Sequence, residues 1–97
     1  MYITTFTHFL DEKGNIPKKM PKEARELASF MALVVDEATK DYPEKICCTN
    51  IRCINSACDS YIITEFVEKG EKIWWYCGDC DYEGLISEWQ GTRMDNR

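Results

Sequence analysis

The spacing of apolar residues predicts one helix in the first half of the chain. Between residues 21 and 40, apolar side chains recur every three, four or seven positions and so share one face of a helix. Pro21 suits the first turn of that helix, and Pro43 stands just beyond its end. The residues of the apolar face are Ala24, Leu27, Ala28, Met31, Val35 and Ala38.

Three further apolar residues, Phe30, Leu33 and Val34, widen this face. A helix with so wide an apolar face can lie between its own sheet and a second copy of the chain. The simpler interpretation, which we favour, is that these residues wrap around a small core. A homodimer through the helix 21–40 is the alternative.

Aromatic and β-branched residues in the second half of the chain predict a β-hairpin. Residues 61–67 and 72–76 are rich in them, and residues 68–71, which include a glycine, form the turn. With Glu68 opposite Glu71, the alternation of side chains separates two faces of the hairpin. The core face would hold Ile62, Phe66, Ile73 and Trp75, the other face would hold Trp74 and Tyr76, and Ile62 would lie opposite Cys77.

Two shorter strands are predicted outside the hairpin. A third strand at 85–89, after a bend at Gly84, would complete a three-stranded antiparallel sheet. Residues 1–10 alternate between apolar and polar side chains and predict a short strand, which ends in a turn at 11–15.

Length and charge narrow the class of protein. A chain of 97 residues, 44% hydrophobic and 30% charged, suits one globular domain. The net charge of −5 comes from residues 41–97, which carry 11 acidic against six basic residues, whereas residues 1–40 carry six of each. Because surfaces that bind nucleic acid are normally basic, we expect a protein partner instead.

Neither a secretory signal nor a membrane span is predicted. The start of the chain lacks the basic and apolar stretches of a signal, and the longest strongly apolar run, residues 30–35, is too short to cross a bilayer. We therefore expect a cytoplasmic protein without membrane contact.

The cysteines predict a metal site. Six cysteines are many for this length, and grouped cysteines in the cytoplasm are more often metal ligands than disulfides. Cys53 and Cys58 form one close pair, Cys77 and Cys80 form a second, and the predicted hairpin would bring the two pairs together. We expect these four residues to hold one structural Zn²⁺, with iron less favoured.

The remaining two cysteines leave the choice of the first pair open. Cys48 stands as far before Cys53 as Cys58 stands after it, so Cys48 with Cys53 is a rival pair. We prefer Cys58, because its distance from the second pair matches the length of one hairpin. Cys47 and Cys48 would then be spare thiols, or small buried apolar residues.

Together these patterns predict an α+β fold with an N-terminal helix packed on a small, three-stranded, zinc-ribbon-like sheet. We divide the chain into a helical leader (1–45), a zinc ribbon (46–91) and a loose tail (92–97), which form one compact unit. A ribbon of this size has little core, so the metal would supply much of its stability.

Three segments resemble a group of small, uncharacterised bacterial proteins. The three segments are residues 75–92 (WYCGDCDYEGLISEWQGT), 8–17 (HFLDEKGNIP) and 24–30 (ARELASF). Members of that group share a helical leader and a C-terminal ribbon with four cysteines. The resemblance implies a bacterial, cytoplasmic protein with a structural zinc, and it brings no established activity. In that group a tryptophan often stands where this chain has Met94.

A thiol redox protein is the first alternative function. Cys77 and Cys80 have the spacing of a dithiol pair, but Asp79, Asp81 and Glu83 disfavour the thiolate that such chemistry needs.

A nucleic-acid-binding ribbon is the second alternative. Trp74, Trp75 and Trp89 could stack on bases, although the acidic ribbon argues against it. The single histidine, His8, has no partner nearby in sequence, and we favour a structural role for it over metal binding. Since no paired nucleophile and base can be named, we favour a non-enzymatic binding module or adaptor.

Overall fold

One long helix lies against a five-stranded sheet in the computed structural model, which describes residues 2–55 and 57–97. The strands are β1 (Tyr2–Thr5), β2 (Ile46–Arg52), β3 (Tyr61–Val67), β4 (Lys72–Cys77) and β5 (Glu83–Ser87), and the helix α1 spans Lys22–Lys40. Short 3-10 helices at Phe6–Phe9 and Glu68–Gly70 follow β1 and β3. Among these residues, no helix is both long and apolar enough to cross a membrane.

The helix predicted over residues 21–40 is confirmed. α1 begins directly after Pro21, where the missing N–H of proline costs no helical hydrogen bond. Phe30 and Val34 are buried in the core beneath the helix, while Leu33 is 53% exposed. Two of the three residues that widen the apolar face therefore wrap around the chain's own core. The homodimer through this helix stays a prediction.

The predicted hairpin and its register are also confirmed. β3 and β4 pair antiparallel, with Ile62 opposite Cys77 and Phe66 opposite Ile73. Buried and partly exposed residues alternate along both strands, as a sheet covered on one face requires. The face toward α1 carries the predicted core residues, and Trp74 lies on the opposite face.

The prediction of a three-stranded antiparallel sheet is wrong, because two further strands flank the hairpin and β5. The strand order is β1-β5-β4-β3-β2, with β1 parallel to β5 and every other pair antiparallel. The sequence does not predict β2 because its residue types do not follow the alternation of burial: apolar Ile46 is exposed and polar Thr49 is buried. β1 belongs to the leader in sequence, yet it lies in the same sheet as the ribbon strands.

The last strand also differs from its prediction. β5 spans Glu83–Ser87 instead of 85–89, and Gly84 lies within it instead of at a bend. A Cβ at position 84 would lie 2.6 Å from Trp75 Nε1 and 2.7 Å from the carbonyl oxygen of Tyr2. Glycine is needed here because β1 and the indole ring both approach β5 closely.

Aromatic side chains fill the space between α1 and the sheet. Phe6, Trp75 and Trp89 are fully buried. The ring of Phe30 meets that of Trp75 edge to face, with 4.9 Å between centroids. The indole N–H of Trp89 donates a hydrogen bond to the carbonyl oxygen of Glu71 at 3.2 Å. These side chains belong to one apolar core that α1 and the sheet share.

The last residues pack on the protein instead of forming the loose tail predicted for 92–97. Met94 lies against the core, and Asn96 makes hydrogen bonds to two residues near the end of α1. The guanidinium of Arg97 stands 4.9 Å from the centroid of the Trp89 ring, within the range of a cation–π contact.

Candidate metal centre

The four predicted cysteines lie in two loops at one end of the sheet. Cys53 directly follows β2 and Cys58 lies in the connection to β3. Cys77 is the last residue of β4 and Cys80 lies in the connection to β5. Because neighbouring antiparallel strands alternate in direction, the β2–β3 and β4–β5 connections meet at the same end of the sheet.

The sulfur atoms have the spacing of a tetrahedral metal site. All four Sγ atoms lie within 4.8 Å of one another. The Sγ atoms of Cys53 and Cys80 are 3.5 Å apart, and those of Cys58 and Cys77 are 3.6 Å apart. Four thiolates at about 2.3 Å from one ion would be separated by about 3.8 Å. The group could therefore hold one metal ion with small adjustments.

Backbone hydrogen bonds shape the loops that carry the sulfurs. The N–H of Cys58 donates to the carbonyl oxygen of Asn55 at 2.9 Å, which curls the first loop. The N–H of Cys53 donates to the carbonyl oxygen of Ser60 at 2.9 Å, which closes the base of that loop. The side chain of Ser60 also donates to the carboxylate of Asp79 in the second loop. The two loops are therefore held to each other as well as to the sheet.

Burial keeps part of the site protonated in the absence of a cation. Cys53 and Cys77 are each 6% exposed, and Cys58 and Cys80 are half-buried. Burial raises the pKa of the Cys53 thiol to about 12, and the neighbouring thiols of Cys80 and Cys77 add to the rise. A bound cation would favour the charged thiolate of Cys53, so metal binding would release the proton of that thiol.

Comparisons of the chain with protein-family models, with curated proteins and with solved structures found no match. The function must therefore be argued from the site itself. The likeness to small bacterial proteins with four-cysteine ribbons stays an interpretation of the residues that carry it.

The rival ligand Cys48 lies outside the cluster. It is exposed on β2 opposite Ile63, and its five-residue separation from Cys53 corresponds to about 16 Å along a strand. The interpretation of the spare cysteines as small buried residues is wrong for Cys48. Cys47 is half-buried, and burial raises the pKa of its thiol, with Asp41 adding to the rise.

The aromatic residues and the histidine lie elsewhere. Trp75 and Trp89 are fully buried in the core, so they present no face for stacking on nucleic acid. Trp74 and Tyr76 stack on the sheet face opposite α1, with 4.2 Å between their ring centroids. His8 is exposed in the first 3-10 helix, outside the group of four cysteines.

Sequence reasoning missed one polar contact of the site. The hydrogen bond between Ser60 and Asp79 joins the two cysteine loops, whereas the sequence indicates Asp79 only as an unfavourable neighbour of a thiolate. No local sequence pattern pairs these two residues, because Ser60 and Asp79 are far apart along the chain. Only the pairing of the strands places the two loops side by side.

Proposed function

We propose that the protein is a non-enzymatic module in which Cys53, Cys58, Cys77 and Cys80 bind one structural Zn²⁺. The observation that carries the proposal is the group of four sulfur atoms within 4.8 Å of one another. Four cysteines fill all positions of a tetrahedral zinc and leave none open for water or substrate. A closed site of this kind stabilises a fold instead of catalysing a reaction.

The position of the sulfurs also bears on the redox alternative. The two shortest contacts join different loops, Cys53 with Cys80 and Cys58 with Cys77. A dithiol redox protein would instead pair Cys77 with Cys80, and its reactive thiol would lie near cations or a helix N-terminus. The second loop is followed by β5 instead of a helix, which favours metal binding.

Metal content and thiol counting test the proposal. Protein purified without chelator should contain one zinc per chain and two titratable thiols, those of Cys47 and Cys48. The same four sulfurs can bind iron, so elemental analysis must cover both metals. Protein without metal but with a reversible Cys77–Cys80 disulfide would contradict the proposal and favour the redox alternative.

We also propose that the module works by binding another protein in the cytoplasm. The acidic charge of residues 41–97 and the burial of Trp75 and Trp89 support a protein partner over nucleic acid. Sedimentation of the zinc-loaded chain would test the homodimer through α1. A monomer at all accessible concentrations would exclude the homodimer.

The nucleic-acid alternative has its own test. Binding of a single-stranded oligonucleotide that weakens steeply as the salt concentration rises would favour that alternative.

A further inference from the structure

A groove runs between the start of α1, the segment before it and the end of β2, beside the metal centre. Its volume is about 630 Å³, and Cys53 forms part of its wall. The apolar residues that line it are Ile16, Pro17, Phe30, Leu33, Ile51 and Ile54. Leu33, the exposed residue of the helix face, is one of them.

The charge of this groove is opposite to the charge of the protein. Among the described residues, four basic ones line it, Lys18, Lys22, Arg25 and Arg52, together with a single acid, Glu26. They are four of the chain's 12 bases, whereas Glu26 is one of 17 acids. The groove is therefore positive in a chain whose net charge is −5.

Two of the bases are free to meet a ligand. Within the described part of the chain, neither Lys18 nor Arg25 has an ion-pair partner, and both are exposed. Lys22 lies 4.0 Å from Glu26, and Arg52 lies 3.5 Å from an exposed aspartate. Exposed pairs at these distances are weak and exchange readily for a better acceptor.

We propose that this groove binds an extended, acidic segment of a partner protein, with an apolar side chain of that segment packed against Leu33. Carboxylates of the segment would meet Lys18 and Arg25 while its apolar residue enters the groove. β2 is an edge strand of the sheet, so its outer edge offers backbone groups to a segment in extended conformation. This inference rests on the proposed function as a binding module and names its partner class.

The same observations disfavour other occupants. Phe30 is the one aromatic residue among the described residues that line the groove, and it is only 8% exposed, so nucleic acid would find no ring to stack on. A symmetric dimer through this surface would place the basic residues of one copy against those of the other. An acidic protein segment satisfies both the charge and the apolar lining.

The experiment selects binders to the zinc-loaded full chain from a displayed library of random 12-residue peptides. The recovered peptides should be richer in Asp and Glu than the library and should share an apolar residue. The best of them, synthesised with a fluorescent label, is then measured by anisotropy. A recovered set without an acidic excess, or no recovery at all, would overturn the proposal.

Matched variants locate the binding surface. The double variant Lys18→Glu/Arg25→Glu should weaken binding by about tenfold or more, since each substitution replaces an attraction to the acidic segment by a repulsion. Leu33→Ser should weaken it by a similar factor. Lys69→Glu makes the same kind of charge change in the β3–β4 turn, at the opposite end of the sheet, and should leave affinity within about twofold. Equal effects of the groove and control variants would overturn the assignment.

Further measurements separate this inference from the proposed function. A preparation that contains one zinc per chain but yields no acidic peptide would overturn the groove alone. A preparation without zinc would contradict the proposed metal site, whatever the peptides show. A single-stranded oligonucleotide or an anionic lipid vesicle could bind more tightly than the peptide and lose affinity equally in Lys18→Glu/Arg25→Glu. That result would overturn the proposal and assign the groove to that ligand. Because these side chains are exposed, unchanged unfolding midpoints will show that the variants fold.

Discussion

Substitution of Cys58 by serine is expected to weaken zinc binding strongly, because it removes one sulfur of the group of four. Structural zinc sites bind with about 10–16 kcal/mol, or about 2.5–4 kcal/mol for each of four ligands. Since about 1.4 kcal/mol corresponds to a factor of ten, Cys58→Ser should raise the Kd for zinc by about 100- to 1,000-fold. A serine hydroxyl does not replace a thiolate as a zinc ligand at neutral pH.

Competition with a chromophoric chelator measures this change directly. Cys48→Ser is the matched control, since Cys48 lies on β2 outside the cluster, and its Kd should stay within about twofold of the parent value. Cys53→Ser and Cys77→Ser should weaken zinc binding at least as much as Cys58→Ser. Both positions are buried, so these two variants should also destabilise the metal-free protein more than Cys80→Ser does.

Two outcomes of these zinc-affinity measurements would contradict the four-cysteine site. If Cys48→Ser loses zinc while Cys58→Ser retains it, the first pair is Cys48 with Cys53, and the β2–β3 connection must rearrange when metal binds. If all single variants keep the parent affinity, the cluster does not bind zinc through four cysteines. Thiol counts on each variant would confirm that the intended side chain was changed.

Three further predictions concern the fold that supports the site. Gly84→Ala should lower the free energy of unfolding, measured by urea titration, by about 1–3 kcal/mol, because its Cβ would meet a buried indole ring and a carbonyl oxygen. Gly78→Ala, with open space around it, should be nearly neutral in the same titration. Phe6→Ala should cost about 3–5 kcal/mol, since its side chain is fully buried, and a cost below 1 kcal/mol would contradict that packing. Hydrogen bonds from Arg97 lower the pKa of Asp95 to about 2, so the carboxylate stabilises the fold above about pH 4 and this contribution is lost as the pH falls toward 2. Asp95→Asn should therefore lower the free energy of unfolding by about 1 kcal/mol at pH 6, because water screens the partly exposed ion pair. The difference in unfolding free energy from the parent should shrink by pH 3.

Local patterns in the sequence were sufficient for α1 and for the β3–β4 hairpin. The apolar period of residues 21–40 and the alternation around the turn at 68–71 depend on neighbours a few positions away. The hairpin register then placed Ile62 opposite Cys77 and so brought Cys58 toward the second pair. This is why the sequence predicted the group of four cysteines that the structure brings together.

The other elements depend on contacts between distant parts of the chain. The parallel pairing of β1 with β5 joins the two ends of the sequence, and no local pattern in Tyr2–Thr5 specifies its partner. Gly84 looked like a bend in sequence because glycine is common in turns. Its true role, space for Trp75 and β1, exists only after the sheet has formed.

Local patterns were therefore enough to predict the helix, the hairpin and the grouping of the cysteines, because helical period, strand alternation and loop length act over short separations. The number and directions of the strands and the packing of the tail depend instead on contacts between residues that are distant in sequence. The same is true of the positive groove, which combines residues 16–33 with residues 51–54. Burial of one shared core selects those long-range contacts, and the charges that gather on its surface follow from the packing.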